Sequence, residues 1–176
     1  MPLVLNGTTG VQDNSGAFVQ GTAVASTSGT SIDFTSIPSW VKRVTINFND
    51  VSTSGTSPPQ IQIGDSGGIE TTGYAGSNTV IAGGTAQALF TTGFGIGVNT
   101  GNWANVVVVS GAITITLLNG STNTWVASGS VGRTDSASSY FTSGGKSLSA
   151  TLDRVRITTV NGTDTFDSGS INILYE

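Results

Sequence analysis

One stretch of the sequence decides the fold: Val-Lys-Arg-Val-Thr-Ile-Asn-Phe-Asn at residues 41–49. Within it, the apolar residues Val44, Ile46 and Phe48 alternate with polar ones. Successive side chains of a β-strand point to opposite faces, so these three would share one face. The stretch therefore predicts a strand with one buried face and one solvated face.

The same alternation recurs from this stretch to the end of the chain. It is marked by Ile61 and Ile63; by Ile113, Ile115 and Leu117; by Val155, Ile157 and Val160; and by Ile171, Ile173 and Tyr175. The pairs Asn119-Gly120 and Asn161-Gly162 lie between such runs, and Asn-Gly favours the positive φ angles of tight hairpin turns. No window repeats apolar residues at helical spacing. We therefore expect an all-β fold, an antiparallel β-sandwich of jelly-roll-like architecture.

The length of 176 residues predicts one domain with a short arm. We assign residues 1–30 to an N-terminal docking arm or edge segment and residues 31–176 to the β-sandwich domain. The first segment is typical either of an arm that docks on a neighbouring subunit or of an edge strand followed by a flexible loop. Gly interrupts residues 64–100 every few positions, so we expect the longest loops there.

Composition excludes several classes of function. The chain has no Cys and no His, which excludes disulfides, thiolate or imidazole metal sites, Cys nucleophiles and Ser-His-Asp triads. Its net charge of −4 argues against a nucleic-acid partner, since counterion release requires a basic surface. No apolar run approaches the ~20 residues that span a bilayer, and the first residues lack the features of a signal peptide. We expect synthesis in a cytoplasm, with no membrane insertion and no cofactor.

The remaining acidic residues offer little chemistry. The pairs that a carboxylate glycosidase would use are Asp65 with Glu70, or Asp164 with Asp167. Acids in Gly- and Ser-rich turns more often cap the turn, so we predict no catalytic site. The stretch from Asp164 to Asp167 is also a candidate for Ca²⁺ through its oxygen atoms, but it lacks the ligand density of a dedicated loop, and we predict no metal.

Two side-chain groups are candidates for binding. Arg154 and Arg156 would share one strand face, either as a basic patch for an anionic sugar or partner carboxylate, or, as we favour, as members of ordinary cross-strand ion pairs. Tyr74 and Tyr140 fall in Gly- and Ser-rich segments, which makes them candidates for receptor or glycan contacts from loops. The alternative for both tyrosines is packing in the core.

Several segments resemble those of a known group of proteins. They are Met-Pro-Leu-Val-Leu-Asn-Gly-Thr-Thr-Gly-Val at residues 1–11, Ile-Asp-Phe-Thr-Ser-Ile-Pro-Ser-Trp-Val-Lys-Arg-Val-Thr at 32–45, Val-Ser-Thr-Ser-Gly-Thr-Ser-Pro at 51–58, Gln-Ile-Gly-Asp-Ser-Gly-Gly at 62–68, and the end of the chain from residue 163 to residue 176. Together they resemble small virion proteins of tailed bacteriophages and prophages, a tail-fibre-like family. The likeness covers most of the chain.

The resemblance implies a non-catalytic structural protein of the virion, in a tail fibre or a tail-associated surface position, that contributes to host attachment. It implies contacts with other tail or capsid proteins, and a host surface glycan as a further partner. We expect a homotrimer, because small sandwiches in such assemblies often bury strand edges against one another. Two alternatives stay open: a capsid decoration protein (a head fibre or cement protein) and a carbohydrate-binding module.

Overall fold

The computed structural model describes residues 18–98 and 103–176, together with the backbone of two short strands, β1 (Leu5–Asn6) and β2 (Gly10–Val11). The other strands are β3 (Val19–Gln20), β4 (Val24–Ala25), β5 (Ser31–Phe34), β6 (Arg43–Thr53), β7 (Pro59–Asp65), β8 (Gly68–Ile69), β9 (Ala75–Ile81), β10 (Thr85–Phe90), β11 (Phe94–Gly95), β12 (Val109–Asn119), β13 (Thr124–Arg133), β14 (Ser139–Ser147), β15 (Arg154–Thr159) and β16 (Phe166–Tyr175). No helix occurs in this described part of the chain, and so none there is able to span a membrane.

The strands form two main antiparallel sheets. The large sheet has nine strands in the order β10-β9-β14-β13-β12-β6-β16-β3, with β4 also on β16. The small sheet has five, in the order β11-β7-β15-β5, with β8 on β7. Strand β6 pairs with β16, β7 with β15 and β9 with β14. These pairs are nested in sequence, as they are in a jelly roll. Strands β12 and β13 lie between β6 and β14 in the large sheet and add to this pattern. The prediction of an all-β antiparallel sandwich is confirmed.

The core lies between the two sheets and is built from the alternating residues. Ile46 and Ile113 face inward from the large sheet, and Ile61 and Ile157 from the small one; all four are 0% exposed. Removing such a side chain from water stabilises the fold by about 1.5–3 kcal/mol. Trp103 is buried beside them, and its indole N–H donates to Thr53 Oγ1 at 3.0 Å.

Bulges interrupt the pairing of β6 with both of its neighbours in the large sheet. Its register with β12 shifts near Gly111, and its register with β16 shifts on either side of Ser168. Gly169 has φ 90° there, and a Cβ at this position would lie 2.4 Å from the carbonyl oxygen of Asn49. Only glycine fits such a close approach with positive φ, so the bulge depends on this residue.

The described part of the predicted arm lies along the edge of the large sheet. Gly21 N donates to Ile173 O at 2.8 Å, and Ser26 N donates to Gly169 O at 2.9 Å. Ser26 is fully buried, and its hydroxyl donates to Ser168 O at 2.7 Å. From residue 18 onward, this segment therefore pairs with β16 of the large sheet. Docking of the arm on a neighbour stays a prediction, and residues 1–4, 7–9 and 12–17 lie outside the described part.

The segment expected to hold the longest loops instead contains strands β8 to β11. Residues 75–90 of this segment form the β9–β10 hairpin, which the sequence analysis did not predict. Its inward positions include Gly76 and Asn78, which carry no apolar signal. Asn78 is nevertheless 0% exposed, and its amide donates to Gly95 O at 3.0 Å and to Thr142 Oγ1 at 3.1 Å. Hydrogen bonds therefore hold the amide nitrogen of Asn78 in the core, whereas its Oδ1 has no hydrogen-bond partner within the described residues.

Candidate functional site

The outer face of the small sheet carries an ordered array of polar side chains. Because Ile61, Ile63, Val155 and Ile157 point into the core, their neighbours along each strand point outward. Cross-strand pairing then produces two rows over β5, β15 and β7. One row is Asp33, Arg156 and Gln62, and the other is Ser31, Thr158 and Gln60.

These rows form the floor of a concave surface, which we call the small-sheet groove. It consists of two adjoining depressions, of about 510 Å³ and about 320 Å³, which share Thr71 and Arg156. Val160 and Ile69 are the large apolar side chains among the groove-lining residues of the two depressions. Most residues that line the groove are therefore polar, unlike those of the mostly apolar pockets that take drug-sized ligands.

Two glutamines of the groove are buried yet only partly hydrogen-bonded. Gln60 and Gln62 are 2% and 5% exposed. Thr92 lies over both: its hydroxyl donates to Gln60 Oε1 at 2.9 Å, and its carbonyl accepts from Gln62 Nε2 at 2.9 Å. Gly93 allows this contact, because a Cβ there would lie 2.7 Å from Gln60 Oε1. Within the described residues, Gln60 Nε2 and Gln62 Oε1 have no hydrogen-bond partner.

The two arginines share the outer face, as the strand pattern predicts, and both are paired. Arg156 donates from Nε and NH2 to the two carboxylate oxygens of Asp33, at 2.6 and 2.9 Å. This hydrogen bonding raises the pKa of Arg156 above its usual value. Arg154 donates to the neighbouring Asp153 Oδ2 at 2.8 and 3.1 Å and to Ser66 O at 3.2 Å. The favoured interpretation, ordinary ion pairs, is confirmed for Arg156 and Asp33, which face each other across the strands.

Neither tyrosine is exposed, so the structure does not favour them as receptor or glycan contacts and agrees with the alternative, packing in the core. Tyr74 is 4% exposed; its hydroxyl accepts from Ile63 N at 2.7 Å and lies 2.9 Å from Glu70 O, and its ring meets Phe94 edge-on at 5.1 Å. Tyr140 is 1% exposed, faces inward from β14 and packs on Trp103 at 5.8 Å. Burial raises the pKa of both hydroxyls. Neither ring offers a face on which a sugar can stack.

Asp65 and Glu70 do lie close together, but as part of a structural network. The Ser149 hydroxyl is 2.6 Å from Asp65 Oδ2 and 2.8 Å from Glu70 Oε1, and Lys146 forms an ion pair with Glu70. The hydrogen bond from Ser149 lowers the pKa of Asp65. For Glu70, desolvation raises the pKa, but hydrogen bonds from Lys146 and Ser149 outweigh it and the net shift is downward. A glycosidase acid requires the opposite, a raised pKa.

Asp164 and Asp167 accept hydrogen bonds from different parts of the chain. Asp164 accepts from Ser57 N at 2.9 Å and from Asn161 Nδ2 at 2.8 Å, whereas Asp167 accepts from the Ser52 hydroxyl. Asp164 thus holds the turn before β16 in place. Over residues 18–98 and 103–176, no group of three metal-ligating side chains comes together.

The sequence analysis missed Gln60 and Gln62 as site residues. The only signal was their alternation with Ile61 and Ile63, which is also typical of an ordinary solvated strand face. What distinguishes them is the cover supplied by Thr92, a contact between residues 30 positions apart. Comparison of the chain with models of protein families, with curated proteins and with solved structures finds no match.

Proposed function

We propose that this chain is a non-catalytic structural protein of a tailed-phage virion, in a tail fibre or a tail-associated surface position. The observation that carries the proposal is a sandwich with few charged residues, most of whose basic groups are paired, in a chain whose segments resemble that family. Charged residues are 9% of the chain, against about 25% in ordinary soluble domains. Five of the six basic residues form ion pairs, namely Arg43, Arg133, Lys146, Arg154 and Arg156.

The state of the carboxylates supports a structural role. The two candidate acid pairs hold loops and strands together through Ser149, Lys146, Ser57 and Ser52. A surface that relies on hydroxyl and amide groups is also less sensitive to salt than one built on exposed ion pairs. Both properties suit a particle that persists outside the cell.

Exposed apolar side chains support an interface with other subunits. Leu89, Ile81 and Phe141 are 85%, 51% and 46% exposed. They lie on the outer face of the large sheet, on the neighbouring strands β10, β9 and β14. The β10 strand is also the open end of that sheet and contains no charge or proline to block edge pairing. We propose that this region contacts other virion proteins or further copies of the chain in a homotrimer.

A carbohydrate-binding module is the second candidate, and the small-sheet groove favours it. A capsid decoration protein remains the alternative within the virion class. The groove is compatible with each of these, because a binding site on a structural sandwich and a structural role do not exclude one another.

The test is fractionation of intact particles of the phage that encodes the chain. Particles are purified on a gradient and washed in high salt. Immunoblots should then detect the chain at a fixed ratio to a major virion protein. Light scattering of the purified chain should give three times the mass of one copy. Absence of the chain from washed particles would overturn the virion assignment, and a monomer at micromolar concentration would overturn the trimer.

A further inference from the structure

We propose that Asn119 is a site of spontaneous deamidation, and that the fold protects Asn161 from the same reaction. Both asparagines are followed by glycine in the sequence. The backbone nitrogen that follows an asparagine can attack the side-chain amide, and glycine hinders this attack least because it has no Cβ. The third such pair, Asn6-Gly7, is outside the part of the chain whose side chains the structure describes.

The reaction needs only the chain and water. The Gly120 nitrogen loses its proton and forms a bond to Cγ of Asn119, while the bond from Cγ to Nδ2 breaks and Nδ2 leaves as ammonia with that proton. The product is a cyclic imide. Water then opens the ring at one of its two carbonyl carbons, which leaves either an aspartate or an isoaspartate at position 119.

The atoms that react at Asn119 are not held by hydrogen bonds. Within the described residues, neither Gly120 N nor Asn119 Nδ2 has a partner, and Asn119 Oδ1 accepts only from Ser121 N, at 2.9 Å. These three residues are exposed. Asn119 is also the last residue of β12, just after a shift in the register with β13. Ring closure there disturbs one side-chain hydrogen bond and the end of one strand.

Asn161 and Gly162 are exposed as well, so access to solvent does not distinguish the two sites. Hydrogen bonding does. Gly162 N, the attacking atom, donates to Thr159 O at 3.0 Å. Asn161 Nδ2, the leaving atom, donates to Asp164 Oδ1 at 2.8 Å. The Asn161 Oδ1 atom accepts from Thr159 Oγ1 at 2.8 Å, from Thr163 N at 3.0 Å and from Asp164 N at 3.1 Å.

This difference sets the expected ratio of the two rates. Ring closure at Asn161 must break the hydrogen bonds of Gly162 N and of Asn161 Nδ2, each of which contributes to the stability of the turn. The barrier rises by the free energy of both bonds, so Asn119 should react at least about tenfold faster than Asn161 in the folded chain.

The modification changes the charge and the backbone of the β12–β13 turn. Each conversion adds one negative charge to a chain whose net charge is −4. An aspartate at position 119 keeps an oxygen that accepts from Ser121 N, so it preserves the turn. An isoaspartate adds a carbon atom to the main chain where Asn119 pairs with Thr124, and so it disturbs the end of the hairpin. None of this depends on the proposed virion role.

The experiment measures deamidation at both sites in the purified full chain. The protein is incubated at mildly alkaline pH in water enriched in heavy oxygen, so that only products formed during the incubation carry the label. It is then digested with pepsin in acid, where the attack is slow, and the peptides that contain Asn119 and Asn161 are followed by mass spectrometry. The Asn119 peptide should gain label at least about tenfold faster. In urea, where both turns unfold, the two rates should converge.

Gly120→Ala provides a variant with an internal control. A Cβ at this position would lie 3.8 Å from its nearest neighbour, so the fold tolerates it, but it stands beside the attacking nitrogen. The variant should slow the reaction at Asn119 severalfold and leave the rate at Asn161 unchanged. If it does not fold, the comparison of the two sites in the parent chain still decides.

Three results would overturn the proposal. The first is an Asn119 peptide of the folded chain that gains label no faster than the Asn161 peptide. The second is a folded chain that stays unlabelled at Asn119 while the chain in urea reacts. The third is a difference between the sites that persists unchanged in urea, because it would then come from the local sequence and not from the hydrogen bonds of the fold.

Discussion

Arg156 and Asp33 face each other across β15 and β5, and the guanidinium donates to both carboxylate oxygens at 2.6 and 2.9 Å. This bidentate pair neutralises Arg156, one of the two arginines that line the small-sheet groove; the other, Arg154, pairs with Asp153. The groove therefore presents amides and hydroxyls beside charged side chains that are already paired.

The Arg156–Asp33 pair should contribute little to stability. Both side chains are more than a third exposed, at 37% and 36%, and exposed pairs are typically worth about 0.2–1 kcal/mol. Asp33→Asn should lower the free energy of unfolding by no more than this amount, measured by urea denaturation. A double-mutant cycle with Arg156→Gln isolates the pair, and a coupling energy above about 2 kcal/mol would contradict this description.

The core should depend strongly on the contact between the two strands below the groove. Ile61 and Ile157 lie opposite each other on β7 and β15 and are both fully buried. Ile157→Ala should cost about 2–5 kcal/mol in the free energy of unfolding, because it leaves a cavity. Leu118→Ala is the control: Leu118 is 67% exposed, and its loss should cost less than about 0.5 kcal/mol. Equal losses for the two variants would contradict the placement of the core.

The bulge in the large sheet should not tolerate a side chain at Gly169. Gly169→Ala combines a positive φ of 90° with a contact of 2.4 Å to a backbone oxygen, so it should lower the midpoint of thermal unfolding by several degrees. Gly120→Ala serves as the control, because the nearest atom to its Cβ would lie 3.8 Å away. A Gly169→Ala variant as stable as the Gly120→Ala variant would show that the bulge is not formed as described.

Stability should fall in acid, partly through Asp135. Hydrogen bonds from Arg133 lower the pKa of Asp135 from 3.8 to about 2. A carboxylate with a depressed pKa in the folded state stabilises the fold above its unfolded pKa, and this contribution is lost as the pH falls towards 2. Unfolding measured between pH 5 and pH 2 should therefore be less pH-dependent for Asp135→Asn than for the parent chain. Identical pH profiles would contradict the pairing.

The sequence predicted the parts of the fold that rest on apolar alternation. Val44, Ile46 and Phe48 mark β6, and the runs through Ile113 and Ile171 mark β12 and β16. In the alternating parts of these strands the inward positions are large apolar residues, so the sequence pattern of each strand is enough to predict it. Hairpin β9–β10 was missed because its inward positions include Gly76 and Asn78, which are buried through contacts distant in sequence.

The candidate site was less predictable for the same reason. Tyr140 lies in a Ser- and Gly-rich segment, yet that segment is the strand β14, and Tyr140 takes one of its inward positions, where it packs on Trp103. From the sequence, Gln60 and Gln62 resemble residues of a solvated strand face, and only the structure shows that Thr92 covers them. Which residues cover a sheet face depends on tertiary contacts, which alternation along one strand does not encode.

The central claim is that the chain is a structural protein of the virion, and immunogold electron microscopy tests it most directly. Antibodies raised against the purified chain are applied to intact particles, with particles from a deletion phage as the control. The account predicts gold label on the tail. Label confined to the head would instead identify a capsid decoration protein, and parental particles that carry no more label than the deletion control would contradict the virion assignment.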